Sequence, residues 1–276
     1  MNICILGSGL ITNRLAFELS QNSTVKIFTS REVVIDQVSV SSYPSFLDEV
    51  PNFDVVVMAW RGIPENGSEK AEVLRHLVRK IPDESLILNL SSVSVYGQNE
   101  LINIEESRPR PINSYGLGKY YLERYLDIFS SSILCHLRIS NVFGDPLFDD
   151  IINRILTSFK SNQPLILVSP ENVTRDYIST NTVLRCIQLL ILSSDRIERR
   201  KIFNISSGFS MSLVELTKFI EKCVNSKIDF TSSASNSDLI LNSKISNQKI
   251  LDFLQITELT ELTELTEFIN SMTTVR

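Results

Sequence analysis

The sequence has no apolar run approaching the roughly 18 residues that a membrane-spanning helix requires, so it predicts no helical span and no membrane partner. It also lacks a cationic surplus. A formal charge of −5 leaves no basis for gripping a phosphate backbone, and a nucleic-acid partner is not expected. A small anionic ligand would need only one or two local cations. Cysteine is scarce. Cys4, Cys135, Cys186 and Cys223 lie far apart, show no CxxC spacing and sit mostly in apolar runs, which argues against a disulfide framework or a metal site and predicts reduced core residues. The opening MNICILGSGL has no cationic lead and breaks at glycines, so it reads as a first strand and not as a secretory signal. A cytoplasmic protein is the expectation.

What is present is enough apolar material for a large core: 43% of 276 residues are hydrophobic. The first half alternates short β-rich runs with helical stretches, the pattern of a parallel sheet with crossover helices. Strands are expected at 2–6, 25–29, 38–40, 54–59, 86–91 and 133–139, and helices at 11–19, 69–81 and 114–129. The fold class is therefore α/β, a Rossmann-type doubly wound parallel sheet. Beyond Gly144 the pattern loosens, with helices expected at 150–159 and 180–192, strands at 165–168 and 201–205, and an amphipathic helix carrying Leu213, Leu216, Phe219 and Ile220 on one face. The Ser/Asn-rich stretch 225–242 reads as loop with short strands. The expected division is a dinucleotide-binding domain at 1–145 plus 173–205, and a smaller substrate-binding lobe at 146–172 plus 206–276. Near the end, ITELTELTELTEF repeats Leu-Thr-Glu every three residues. That period drifts by about 60° per repeat around a 3.6-residue helix, so it cannot hold one narrow apolar face. A surface helix is expected.

The stretch ILGSGLITNRLA places Gly7 and Gly9 between the first strand and a helix, where glycines let the backbone approach a pyrophosphate and the helix N-terminus offers N–H donors. Thr12 replaces a third glycine, and a plain strand-to-helix turn is the alternative. At the end of the second strand, where Asp or Glu usually takes the ribose hydroxyls, VKIFTSRE supplies Thr29, Ser30 and Arg31. Hydroxyls and a guanidinium suit a phosphate, which favours NADP(H). With Glu32 on the ribose instead, NAD(H) is the alternative.

The strand in ILNLSSVSVYG ends at Ser91 and Ser92, the edge at which open α/β sheets bind ligands. Tyr115 follows downstream, and Lys119 lies one helical turn further on the same face. A free tyrosine titrates near 10 and a lysine near 10.4, and a neighbouring ammonium favours the phenolate, bringing the phenol toward a useful acid/base range.

SSVSVYG, NSYGLGK, LRISNVFGD, TRDYIST and FNISSG, in this order, resemble the conserved blocks of extended short-chain dehydrogenase/reductases of the NAD-dependent epimerase/dehydratase type. The resemblance runs from Gly7 to Gly208, with a weaker echo through NSKISNQKILDFL. It implies a nucleotide-sugar substrate, with Ser92, Tyr115 and Lys119 catalytic and Lys119 also on the nicotinamide ribose. It implies cofactor contacts at Gly7, Gly9, Leu10, Ile11, Ser30, Arg31, Ala59, Ser91, Tyr115, Lys119, Ser140 and Val142. Substrate contacts are implied at Ser92, Ser94, Asn141 and Arg175, the last two at the diphosphate. An asparagine cap and a surface salt bridge are their alternatives. A homodimer is implied too, through the helix that offers Tyr121, Leu122, Tyr125 and Leu126.

Dehydratases of this group carry an Asp-Glu pair where this chain has Val93 and Ser94, so dehydration is disfavoured. No Cys or His falls beside the expected substrate, and His76 and His136 read as structural. The expectation is an NADPH-dependent reductase of a 4-keto, 6-deoxy nucleotide sugar. The alternatives are a nucleotide-sugar 4-epimerase and a non-catalytic dinucleotide sensor, the latter suggested by Thr12 and by bulky Trp60 beside Ala59. The stretch between Thr29 and Asp54 is compressed relative to the resembled family, and 225–242 has no arginine for a second diphosphate ligand.

Overall fold

The computed structural model describes residues 1–41, 53–60, 68–234, 239–257 and 261–274. They divide into two compact units, the first made of Met1–Val95, Ser114–Arg138 and Cys186–Phe203, the second of Tyr96–Asn113, Ile139–Arg185 and Asn204–Arg276. These bounds differ from the expected 1–145 plus 173–205. The reason is strand pairing: residues 174–179 hydrogen-bond to the strands at 141–143, 210–212 and 242–243, and take no place in the large sheet.

The large sheet is built on strands β1 (Asn2–Leu6), β2 (Thr24–Phe28), β3 (Ser39–Ser41), β4 (Val55–Met58), β5 (Leu86–Ser92) and β6 (Ile133–Ile139). A seventh, β10 (Arg200–Ile205), joins β6, giving the order β10-β6-β5-β4-β1-β2-β3. β1 pairs in parallel with both β2 and β4, and β4 pairs in parallel with β5. β4 is buried throughout its length, as is β5, because a parallel sheet is covered on both faces. The chain thus starts in mid-sheet and winds outward both ways. The gap between the ends of β1 and β4 is the place where such sheets bind ligands.

Helices α1 (Leu10–Ser20), α2 (Ser68–Lys80) and α3 (Ser114–Phe129) are the crossovers. The first unit's core gathers Leu6, Phe28, Phe53, Val56, Met58, Leu74, Leu77 and Ile87, with Leu122 and Leu126 from α3. Those two leucines, expected as dimer contacts, are wholly buried here, and Tyr125 packs partly against the same core. Spaced i, i+4, they follow the inward stripe of the helix. Tyr115, Tyr121, Ile128 and Phe129 are the large exposed apolar side chains of α3.

The second unit contains β7 (Asn141–Phe143), β8 (Leu165–Val168), β9 (Thr174–Ser179), β11 (Ser210–Ser212), β12 (Phe230–Ser233) and β13 (Asn242–Ser243). Its helices include α4 (Ile151–Ser161), α6 (Leu213–Val224), α7 (Gln248–Leu254) and α8 (Glu261–Thr274), while of α5 (Thr180–Leu192) residues 180–185 are assigned to the second unit and 186–192 to the first. Local chemistry sets the helix starts. Asp150 accepts the backbone N–H groups of Ile152 and Asn153 to begin α4, and Ser212 with Glu215 forms a capping box on α6.

The later part of the Leu-Thr-Glu repeat, 261–268, opens α8, while 256–257 precede it without helix and 258–260 lie outside the described residues; the packing follows position and not the repeat. Leu262 is 44% exposed, whereas Leu265 and Ile269 are buried in the second unit's core with Phe268 and Met272 packed against it. Residues 265, 268, 269 and 272 form a regular helical stripe that Leu265 enters and Leu262 does not. Cys4, Cys135 and Cys186 are buried and Cys223 is half-buried, and none of the four forms a disulfide among the described residues.

Candidate functional site

The glycine turn follows β1 directly. Gly7 adopts φ +106°, a conformation that favours glycine, and its N–H donates to the Phe28 carbonyl at 2.9 Å. A Cβ at Gly7 would stand 3.4 Å from the Ala59 carbonyl oxygen, which places the ends of β1 and β4 side by side. Gly9 is the extended N-cap of α1 and offers no side-chain cap, so Leu10 and Ile11 open a helix whose first N–H groups face no capping side chain. A Cβ built on Gly9 would meet nothing nearer than the Thr12 hydroxyl at 3.9 Å. That open backbone at a helix N-terminus fits a dinucleotide pyrophosphate. Thr12 does not obstruct it: the side chain is buried and its hydroxyl donates back to the Gly9 carbonyl at 3.2 Å.

The end of β2 folds toward this turn. The hydroxyls of Ser8 and Thr29 are 2.8 Å apart, and the Arg31 N–H donates to Thr29 Oγ1 at 3.1 Å. An Arg31 guanidinium nitrogen reaches the Ser8 carbonyl at 3.4 Å, while Ser30, Arg31 and Glu32 are all exposed. Ser8 was not singled out from the sequence; its place between Gly7 and Gly9 is the signal that marks it.

At the end of β5, Ser92 is 7% exposed, and its Oγ accepts the N–H of Ser94 at 3.2 Å as the chain enters a short 3₁₀ turn over Val93–Tyr96. Tyr115 stands on the first turn of α3 and is half exposed. Lys119 is buried, with Nζ 5.9 Å from the centroid of the Tyr115 ring. The ammonium donates to the carbonyls of Leu90 at 2.5 Å and Trp60 at 2.7 Å, so the helix is tied to the ends of β5 and β4. Trp60 contributes that carbonyl, and its ring packs partly against the core. The Ser91 hydroxyl turns inward and donates to Glu123 at 2.5 Å, and Arg138 pairs with the same carboxylate at 2.8 Å. Neither Glu123 nor Arg138 was expected from the sequence, although Glu123 continues the Tyr115–Lys119 face by one more turn.

The remaining expected residues, Ser140, Asn141, Val142 and Arg175, belong to the second unit. Ser140 is buried and its hydroxyl donates to Asp176 at 2.7 Å; the Ser207 N–H and hydroxyl donate to the same carboxylate. Burial pushes the Asp176 carboxyl up to about 6, with those hydrogen bonds opposing the rise. Asn141 donates to the Asp176 carbonyl at 2.9 Å. Arg175 is no surface ion pair: it is half-buried, one guanidinium nitrogen donates to the carbonyls of Thr174 and Leu241, and burial lowers its pKa. A cavity of ≈ 390 Å³ is lined by Asn141, Val142, Arg154, Ile166, Arg175 and Tyr177 among others. The Tyr177 hydroxyl there is buried without a hydrogen-bond partner, and burial raises its pKa. His136, by contrast, is held between Asn89 and Asp127 and is structural.

A parallel sheet with a glycine turn at its switch point, a serine at the end of β5 and a Tyr-Lys pair one helical turn apart define a Rossmann-type dinucleotide-binding protein. The model of the NAD dependent epimerase/dehydratase family matches residues 45–206, and the chain belongs to that family. A curated relative, the dTDP-4-dehydro-6-deoxyglucose reductase of Escherichia coli, is 30% identical over 151 residues, covering 52% of this chain and 47% of that protein. The chain thus spans about half the length of the curated relatives it matches. Among solved structures, a UDP-glucuronic acid 4-epimerase from Bacillus cereus, in complex with UDP-glucuronic acid and NAD, superposes with TM-score 0.83 at 17% identity over 100% of both chains. A UDP-glucose-4-epimerase from Stenotrophomonas maltophila with bound NAD gives 0.81 at 18%, also over 100% of both. These likenesses establish the fold. No helix among the described residues is long and apolar enough to cross a membrane.

Proposed function

We propose that the chain is an NADPH-dependent reductase of a 4-keto, 6-deoxy nucleotide sugar. The observation that carries the reading is the shared face of Tyr115 and Lys119, with the lysine anchored to the Leu90 carbonyl, two residues before Ser92. In this reading Ser92 donates a hydrogen bond to the sugar keto oxygen and orients it. Tyr115 gives its proton to that oxygen as negative charge develops there, and the Lys119 ammonium lowers the cost of the phenolate left behind. When bound, the nicotinamide supplies the hydride. The Gly7–Gly9 turn and the start of α1 would hold its pyrophosphate, and Ser30 with Arg31 the 2′-phosphate. In the second unit, Arg175 would meet the substrate diphosphate and the cavity beside it the nucleoside. A homodimer through the exposed face of α3 and a cytoplasmic location complete the reading.

A nucleotide-sugar 4-epimerase is the second reading, and Glu32 favours it, since an exposed carboxylate just after β2 suits ribose hydroxyls and therefore NAD. Product mass separates the two. Incubation with pooled nucleotide sugars, including dTDP-4-dehydro-6-deoxyglucose, and NADPH is expected to give a product heavier by about two mass units, the mass of the two hydrogens that reduction adds. Unchanged mass with altered retention would establish the epimerase, and no product under any condition would sink both.

A further inference from the structure

Two successive residues of β5 are each held by α3. The Leu90 carbonyl accepts from Lys119, and the Ser91 hydroxyl donates to Glu123, one helical turn further along. The next residue is Ser92. Glu123 is 2% exposed and Ser91 4%, and the carboxylate is completed by Arg138 on the neighbouring strand β6, with Nε at 3.1 Å from Oε1 and Nη2 at 2.8 Å from Oε2.

Such a group is a poor device for stability alone. Burying a carboxylate and a guanidinium costs most of what their attraction returns, and apolar side chains of the same volume would serve as well. What the pair supplies is direction. A bidentate guanidinium holds the carboxylate in one orientation, and the oriented carboxylate holds one serine hydroxyl.

We propose that Glu123 is a positioning residue for the reaction. Through Ser91 it fixes the end of β5, and with it the Ser92 hydroxyl, against the helix bearing Tyr115 and Lys119, while Arg138 supplies the counter-charge. The inference rests on the catalytic reading given above and assigns work to Glu123 and Arg138, two side chains that have no part in that reading.

Ser91→Ala tests it without stranding a buried charge. Ser85→Ala is the control, because Ser85 is equally buried, donates to the Phe53 carbonyl at 2.8 Å and lies at the opposite end of β5. Hydrogen exchange of the segment 92–96 is expected to quicken in Ser91→Ala and to stay as in the wild type in Ser85→Ala. With dTDP-4-dehydro-6-deoxyglucose and NADPH, Ser91→Ala should lower kcat about tenfold, the scale of one lost hydrogen bond, with KM within about twofold. Ser85→Ala should lose comparable stability and keep its kcat. Wild-type exchange at 92–96 in Ser91→Ala, or an equal kcat loss in both variants, overturns the proposal. If the wild type turns over no nucleotide sugar, the reductase reading falls and the exchange result alone decides whether Glu123 positions this strand end.

Discussion

The Lys119 ammonium lies 2.5 Å from the Leu90 carbonyl and 5.9 Å from the centre of the Tyr115 ring, so a single side chain braces the sheet and faces the phenol. Removing either member of the Tyr-Lys pair therefore has separable effects. Tyr115→Phe should cut turnover by about 10²–10⁴-fold and leave binding of reduced nicotinamide, followed by its fluorescence, nearly unchanged. Lys119→Met should weaken that binding and also cost about 1–3 kcal/mol in urea unfolding, because the Leu90 and Trp60 carbonyls lose their donor. Undiminished turnover in Tyr115→Phe would remove the phenol from the mechanism.

In the function proposed above, Arg31 selects the cofactor. Its guanidinium turns back onto the Ser8 carbonyl beside the glycine turn. Losing a charge-assisted bond to a 2′-phosphate should raise KM for NADPH about tenfold or more in Arg31→Ala and leave KM for NADH within about twofold. Equal changes for the two cofactors would assign Arg31 to the solvated surface.

Asp176 makes the second unit sensitive to pH. Its carboxyl titrates near 3.8 when unfolded and at about 6 in the folded chain, so the folded state binds the proton more tightly. The associated stability is full below pH ~3.8 and is lost as the pH rises through ~6. That displacement corresponds to roughly 3 kcal/mol at most. Asp176→Asn cannot titrate, so wild-type stability should fall relative to the variant between about pH 4 and 6.5. Parallel urea midpoints across that range would contradict the assignment.

The last helix distinguishes two leucines of one repeat. Leu265 is 2% exposed and Leu262 is 44% exposed. Leu265→Ala should cost about 2–5 kcal/mol through the lost burial and the cavity left behind. Leu262→Ala should stay within about 0.5 kcal/mol. Similar losses on thermal or urea unfolding would mean that both leucines are buried.

Much of the sheet was readable in advance because each parallel strand is an apolar run covered on both faces, and its ends are marked by a change to polar or glycine residues. The strands 2–6 and 133–139 and the helix 114–129 stand where periodicity puts them. The pairing of 174–179 was not readable, since strand partners are chosen by contacts between distant segments. The same distinction governs α3: its apolar residues were visible, but the burial of Leu122 and Leu126 in their own core became apparent only when the helix was seated on the sheet.

By itself the amino-acid sequence determined the elements with a local cause: the glycine turn, the i, i+4 spacing of Tyr115 and Lys119, the capping box at Ser212 and Glu215, and the alternation of β and α segments in the first half. Tertiary structure alone decided which side chains meet across the fold. Ser91 finds Glu123 across 32 residues and Ser140 finds Asp176 across 36. No local preference encodes such pairs. A buried carboxylate is tolerated only where the packed chain delivers donors to it, and those donors come from other elements.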